Sequence, residues 1–306
     1  MARVYDVVMT HNLDADEFFI HCVQRRCAER SLSFFLIEPV WVEAFHEALR
    51  VDRVWARVLL NLHSEHHLPE DRFHRLVRMA GERSVQVVDP LEVALPAFDK
   101  ARLHPRLVEA GFEVPDTLVV SREEARDGQL DAGRLARLGS PFVIKPAMGY
   151  GRRGVILDAV GLKDLERSMA VWPDAHYLLQ RRESVAELDG QPAYFRVFHV
   201  FGSIWSCWWN CHTDGYRRVT DEEERAHGLS VLGDLVRRVA ALTGMRFFSS
   251  EIAMTAPGRF VMIDYVNDQC HMLSQGANPR MGVPNTVVAE IAGRLVDAAA
   301  GLINRR

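Results

Sequence analysis

The chain has 306 residues, 48% hydrophobic and 25% charged, enough for two or three compact units with a substantial core and ordinary for a soluble globular enzyme. A net charge of −4 gives no reason to invoke nucleic acid or a membrane surface as partner. No apolar run approaches the ~20 residues needed to span a bilayer, and five cysteines, odd in number and without a disulfide-scaffold spacing, suggest reduced thiols and a cytoplasmic address.

Val4–Val8 reads as a short strand interrupted by Asp6, not as a secretory apolar segment. Asp14-Ala-Asp-Glu17 looks like a helix start, with a capping side chain and early negative charge. Phe18, Phe19, Cys22, Val23 and Ala28 continue it at roughly helical spacing. Leu32–Ile37 is strand-like and stops at Glu38-Pro39, and Val54–Leu62 is a second apolar run. Pro69–Met79 is a predicted helix with a proline and acids in its first turn. Ser84–Val88 closes on Asp89-Pro90. This alternation implies a mostly parallel sheet covered on both faces.

From Ala97 the texture changes. Phe98-Asp99-Lys100 opens a helix through about Ala110, ended by Gly111 and followed by the strand Thr117–Val120. A helical region over Glu123–Leu138, interrupted by Gly128 and Gly133, leads into the strand at Phe142. Leu162–Ala170 is helical, Tyr177–Gln180 is a strand, and Tyr194–Val200 and Ser203–Trp209 are strands turning at Phe201-Gly202. An amphipathic helix lies within Gly228–Met245. Arg246–Met254 and Arg259–Val266 are strands joined through Ala256-Pro257-Gly258, where Pro then Gly suits a type II turn. Asn285–Leu302 is a closing helix.

The most informative stretch is Phe142-Val-Ile-Lys145-Pro-Ala-Met-Gly149-Tyr-Gly151-Arg-Arg-Gly154-Val-Ile-Leu157: apolar strand, lysine, glycine-rich loop, second apolar strand. A lysine beside such a loop suits a polyphosphate, because the ammonium is a compact charge and glycines let backbone N–H groups approach the oxygens. Gly149-x-Gly151-x-x-Gly154 also spells the dinucleotide fingerprint, but that signature needs a helix directly after its glycines. A protein-kinase loop precedes its lysine, and the chain has no His-Arg-Asp or Asp-Phe-Gly partner. The P-loop pattern and the Gly-x-Ser-x-Gly elbow of serine hydrolases are both missing.

Around that loop stand Asp99-Lys100, Gly111-Phe-Glu-Val-Pro115, Gln180-Arg-Arg-Glu183, Arg196, Ser249-Ser-Glu251-Ile-Ala253 and Ile263-Asp-Tyr-Val-Asn267. In this order they resemble the ATP-grasp superfamily, of the glutathione-synthetase and RimK-like sort, over essentially the whole chain. The resemblance implies an α/β fold: a pre-grasp α/β domain (1–97) followed by a two-subdomain ATP-grasp fold with ATP held between its subdomains. The central subdomain (98–179) would carry the glycine-rich lid and the C-terminal subdomain (180–306) the metal ligands. It implies that Lys100 and Lys145 contact ATP phosphates, that Gly149, Gly151 and Gly154 form the lid, and that Gln180, Arg181, Arg182 and Glu183 are the hinge reading adenine and ribose. Arg196, a charge inside an apolar strand that calls for an anionic partner, would face the acyl phosphate, with Arg217 and Arg218 as further candidates.

Glu251, Asp264 and Asn267 are the implied metal ligands, for two Mg²⁺ ions bridging phosphate oxygens. The family pattern is more often acid-x-Asn. Here strict alternation puts Asp264 and Asn267 on opposite strand faces, so a bulge or strand end must intervene, and Asp268 is a substitute candidate. The activity implied is an ATP- and Mg²⁺-dependent ligase joining a carboxylate to an amine or thiol through an acyl phosphate. Its partners would be small-molecule or peptide substrates, and a homodimer is the family expectation. Alternatives are a small-molecule kinase, disfavoured by the absence of a lysine cluster, and a non-catalytic nucleotide-binding module. Cys207-x-x-x-Cys211-His212 with Cys270-His271 could be read as a zinc set, but Trp205, Trp208 and Trp209 suggest a buried aromatic strand. His11-Asn-Leu-Asp14 and His63, His66 and His67 follow apolar strands, where α/β folds commonly bind ligands, but read more readily as solvated loops.

Overall fold

The structure is a computed structural model that describes residues 2–11, 16–63, 67–127, 130, 132–268 and 270–305. Asp14 and Ala15 of the expected helix start, with Asn12, Leu13, His66 and Gly128, lie outside them.

The chain begins with β1 (Arg3–His11), α1 (Glu17–Glu29), β2 (Phe34–Ile37), α2 (Val42–Arg50), β3 (Val54–Leu62), α3 (Arg72–Glu82) and β4 (Gln86–Val88). The strands pair in parallel in the order β2-β1-β3-β4. Their near-continuous apolar runs are what a sheet buried on both faces requires. Val7, Met9, Val58 and Leu60 enter one core with Phe19, Cys22, Val23 and Cys27 of α1. Val8 and Leu59 enter another with Phe45, Leu49, Phe73 and Val77 of α2 and α3. The buried stripe of α1 ends on Cys27, not the expected Ala28. α3 starts later than its proline suggests: Asp71 is the cap, accepting from Phe73 N at 2.7 Å, so Pro69 and Glu70 precede the helix.

Next come α4 (Leu91–Phe98), α5 (Lys100–Glu109), β5 (Thr117–Ser121), α6 (Arg122–Arg126), α7 (Ala132–Ala136), β6 (Phe142–Pro146), β7 (Ile156–Ala159), α8 (Leu162–Val171) and β8 (His176–Arg181). The expected helix over 123–138 is therefore two short helices, with Gly133 inside the second. The four strands form an antiparallel sheet in the order β5-β8-β6-β7. Val120, Ile144, Tyr177 and Leu179 pack beneath it against Leu165 of α8.

After a small ladder of β9 (Glu187–Leu188) and β10 (Gln191–Pro192) come β11 (Tyr194–Val200), β12 (Ser203–Trp209), β13 (Tyr216–Arg218), α9 (Asp221–His227), α10 (Ser230–Thr243), β14 (Phe247–Ala256), β15 (Arg259–Asn267) and α11 (Asn285–Ile303). The last sheet runs β13-β12-β11-β14-β15. Phe201 and Gly202 between β11 and β12 both have positive φ, 47° and 85°, as a two-residue hairpin turn of type I′ demands. The chain divides into two compact units: Met1–Leu95, Phe195–Ser249 and Asn267–Arg306 in one, Pro96–Tyr194 and Ser250–Val266 in the other. No helix among the described residues is long and apolar enough to cross a membrane.

Candidate active site

The second unit gathers both lysines, the three loop glycines, the hinge, Glu251 and Asp264. Lys145 sits near the end of β6 and donates from Nζ to Ile263 O on β15 at 2.6 Å. Lys100 is the first residue of α5, whose N-terminus Asp99 caps by accepting from Ala101 N and Arg102 N. It is tied to the glycine loop twice: its backbone N–H donates to Ala147 O at 3.1 Å, and its Nζ to Gly149 O at 2.9 Å.

The three glycines do different work. Gly151 has φ +58° and faces open space, so only backbone conformation selects glycine there. Gly154 has φ +73°, and a Cβ would lie 2.7 Å from Trp172 Cβ and 2.9 Å from Pro146 Cγ. Its carbonyl also accepts from Ser168 Oγ at 2.6 Å, so Gly154 anchors the loop rather than flexing in it. At the other end Met148 N donates to Asp174 Oδ2 at 2.7 Å. Between these anchors Arg153 lies 4.7 Å from the Trp172 ring centroid and 5.9 Å from that of Tyr150, and those rings meet edge-on at 5.3 Å. Asp174 and Trp172 anchor the loop and were not revealed by the sequence, because they reach it from 26 and from 18 to 22 positions away.

The acids face Lys145 electrostatically. Burial pushes the Lys145 pKa down, Asp264 and Glu251 oppose that shift, and Lys100 adds to it. Glu251 Oε2 accepts from Tyr194 Oη at 2.9 Å. Asp264 Oδ1 is buried and has no hydrogen-bond partner among the described residues, the state of an oxygen that a cation would satisfy. In the hinge, Gln180 is 2% exposed and its side chain turns inward to Thr117 and Tyr265. Arg181 is held by Asp116 Oδ2 at 3.3 Å and Arg137 O at 2.7 Å. Arg182 is exposed, and Glu183 lies 3.7 Å from Arg259 Nη1.

No family model matches the sequence, and no curated protein does either. Solved structures do match over nearly the whole length. A RimK domain ATP-grasp protein from Sphaerobacter thermophilus is similar at TM-score 0.64 and 19% identity, covering 97% of this chain and 98% of its own. D-alanine–D-alanine ligase from Bacillus anthracis, complexed with ATP, gives 0.65 and 13%, covering 100% and 98%. The ATP-grasp ligase PsnB, complexed with minimal precursor, Mg and ADP, gives 0.60 and 16%, covering 98% of each chain. The chain has the ATP-grasp fold.

The remaining candidates of this ATP-grasp chain fall in the first unit. Arg196 donates from Nε to Ser249 Oγ at 3.0 Å and lies 5.5 Å from the Trp209 ring centroid. Arg217 makes a forked pair with Glu223, at 2.6 and 3.0 Å, and lies 5.4 Å from the Trp208 centroid. That pair is the largest cause holding the Glu223 carboxyl down at about 2. Asn267, the last residue of β15, donates from Nδ2 to Ser249 O at 3.3 Å. Asp264 and Asn267 both lie within β15, and the strand end comes only after Asn267.

The histidine loops are packed rather than solvated where they are described. His63 is 2% exposed, 3.2 Å from Asp71 and stacked on Phe73 at 3.7 Å. His11 and His271 each lie 3.6 Å from the buried Asp16 carboxylate. Cys207 is fully buried, which pushes its thiol up to about 12, and Trp208 and Trp209 are buried beside it in sequence. Among the described residues no group of three or more His, Cys, Asp and Glu side chains could hold a metal ion.

Proposed function

We propose that this protein is an ATP- and Mg²⁺-dependent ligase that joins a carboxylate to an amine or thiol. The observation that carries the reading is the ionic cluster of one unit: Lys145 leading into the glycine loop, Lys100 bonded to the loop's first half at Gly149 O, and two carboxylates acting on Lys145. Polyphosphate supplies the anionic charge that the lysine pair, mutually repelling, is built to receive. Lys100 and Lys145 would hold the β- and γ-phosphates, and the lid would exclude water from the reacting group.

The residues present fit a hard cation. Mg²⁺ takes one or two protein carboxylates plus phosphate oxygens and water, which matches Glu251 and the bare Asp264 Oδ1, with Asn267 as the amide ligand suggested by the sequence. When bound, the metal supplies charge neutralisation on the phosphates. The chain's own contribution is positioning and charge stabilisation. A carboxylate oxygen of the substrate attacks the γ-phosphorus as the bond to the ADP oxygen breaks. The amine then attacks the acyl carbon, the carbon–oxygen bond to phosphate breaks, and the nitrogen gives up its proton. Arg196 and Arg217 are the proposed contacts to the acyl phosphate, and 1–97, 98–179 and 180–306 the proposed functional parts. Peptide substrates fall within the proposal, since PsnB was captured with its minimal precursor.

A thermal-shift titration with ATP, with and without Mg²⁺, tests the site on wild type and Glu251→Ala. At a hundredfold excess over Kd the ligand stabilises the fold by about 2.7 kcal/mol. The expected outcome is a Mg²⁺-dependent shift that Glu251→Ala weakens, followed by ADP release with the right carboxylate–amine pair. No shift in wild type at millimolar ATP would remove the basis for calling the protein a ligase.

A further inference from the structure

Three elements that carry proposed nucleotide contacts meet on one buried phenol, and all lie in the same unit. α5 begins with Lys100 and presents His104 one turn later. β8 carries Gln180 just before Arg182 and Glu183, and β15 carries Tyr265 directly after Asp264. His104 Nδ1 lies 2.6 Å from Tyr265 Oη. Gln180 Nε2 donates to Tyr265 Oη at 2.9 Å and to Thr117 Oγ1 at 3.1 Å. Thr117 Oγ1 donates to Pro115 O at 2.7 Å.

One arrangement of donors and acceptors satisfies the four side chains. Thr117 has a single hydroxyl proton, which goes to Pro115 O, so the Gln180 atom facing Thr117 must be the amide nitrogen. Both Gln180 protons are then used, one on Thr117 and one on Tyr265. In that arrangement Tyr265 gives its own proton to His104 Nδ1, and His104 is the neutral tautomer with its proton on Nε2. Burial pushes His104 down to about 4, as suits a network with no place for an imidazolium. Buried polar networks add little stability over an apolar core of the same shape, and their distinctive effect is to fix geometry. Tyr265, 1% exposed, is placed to fix the geometry of three nucleotide-bearing elements at once.

We propose that Tyr265 is a positioning residue, a hydrogen-bond hub that holds the lysine helix, the hinge strand and the acidic strand in one phase so that Lys100, the hinge backbone and Asp264 meet a single nucleotide. The proposal rests on the ATP reading above. It is tested by measuring ATP–Mg²⁺ affinity calorimetrically, alongside KM for ATP, kcat and the ligand-free Tm, for wild type, Tyr265→Phe, His104→Leu and His104→Asn.

Loss of an outer-shell partner typically costs ten- to a hundredfold, so Tyr265→Phe and His104→Leu should weaken ATP binding roughly tenfold or more. His104→Asn, whose Oδ1 can accept the phenol proton, should restore binding to within about threefold of wild type, even if its ligand-free Tm falls as far as that of His104→Leu. Equal ATP affinity in wild type and Tyr265→Phe overturns the proposal. So does equal loss in His104→Asn and His104→Leu, which would make the network packing alone. If Tyr265→Phe does not fold, the two His104 variants decide. Failure of wild type to bind ATP removes the ATP reading and this proposal with it, whereas binding by wild type and unaffected variants removes only this proposal.

Discussion

In the unit that holds Arg217 and Arg26, guanidinium groups face carboxylates in forked pairs: Arg217 with Glu223 at 2.6 and 3.0 Å, Arg26 with Asp297 at 2.8 and 3.0 Å. In the unit that holds Lys145 the arrangement differs. The Lys145 and Lys100 ammoniums go to backbone carbonyls, Ile263 O and Gly149 O. Of the two carboxylates acting on Lys145, Glu251 accepts from Tyr194, and Asp264 keeps a buried oxygen with no hydrogen-bond partner among the described residues. A forked pair is electrostatically complete and needs nothing further. A carbonyl gives a lysine no counter-charge, and a bare buried carboxylate oxygen still seeks a cation. Charge alone did not separate these two regions in the sequence, where arginines and lysines alike read as candidates; the bonding state does.

The comparison breaks most visibly at Lys145. Lys145→Met should lower ATP turnover by at least ~100-fold, the usual cost of losing one preorganised charge at a transferring group. The fold should survive. Burial depresses the Lys145 pKa in the native state, so its charge carries a penalty at neutral pH that is relieved only as pH rises above the folded pKa. Methionine does not carry that penalty, and the ligand-free Tm should change by no more than a few degrees. ADP release and a melting curve on the same sample check both halves. Turnover at the wild-type rate would mean that this lysine is structural after all.

The glycine loop allows a sharper internal comparison. Gly154→Ala combines a left-handed backbone with contacts of 2.7 and 2.9 Å to Trp172 and Pro146, and should destabilise by about 3 kcal/mol. Gly151→Ala meets the same backbone penalty in open space and should cost about 1 kcal/mol. Urea denaturation of both variants checks the difference. Equal costs would show that Gly154 is not wedged against Trp172 and that the loop has no fixed base.

Much of the fold was legible for local reasons. β1 and β3 are apolar on both faces because both faces are buried, so their runs stand out whatever the register. The β11–β12 hairpin was legible because its turn contains glycine between two apolar strands. What failed did so because one side chain outweighed pattern: Asp71 caps α3, so Pro69 is not in its first turn. In the site, Lys145 and its glycines announced themselves through spacing. Asp174 and Tyr265 did not, because their partners are distant: 26 positions separate Met148 from Asp174, and 161 separate His104 from Tyr265. His104 did stand at helical spacing from Lys100, a signal that acquires meaning only once β15 is beside it.

The smallest expected effect tests the other side of the comparison. Arg217 and Glu223 form a complete pair, but Arg217 is about half exposed, 48% by side chain, so water and salt screen the attraction. Arg217→Ala should therefore cost only about 1 kcal/mol at pH 7. The sign with pH follows from Glu223, whose folded pKa is about 2, below its ordinary value. Its contribution is fully present above the unfolded pKa and is lost as pH falls from about 4.5 towards 2. Wild type and Arg217→Ala should thus differ at pH 7 and converge in acid, which urea midpoints at pH 7, 4 and 3 would reveal. The same variant asks whether a completed pair can also serve the reaction. If Arg217 opens from Glu223 to meet an acyl phosphate, ligation should fall at least tenfold while ATP affinity stays unchanged. An unchanged rate would leave Arg217 as a brace for α9 and pass the acyl-phosphate role to Arg196, whose Nε donates to the neutral hydroxyl of Ser249.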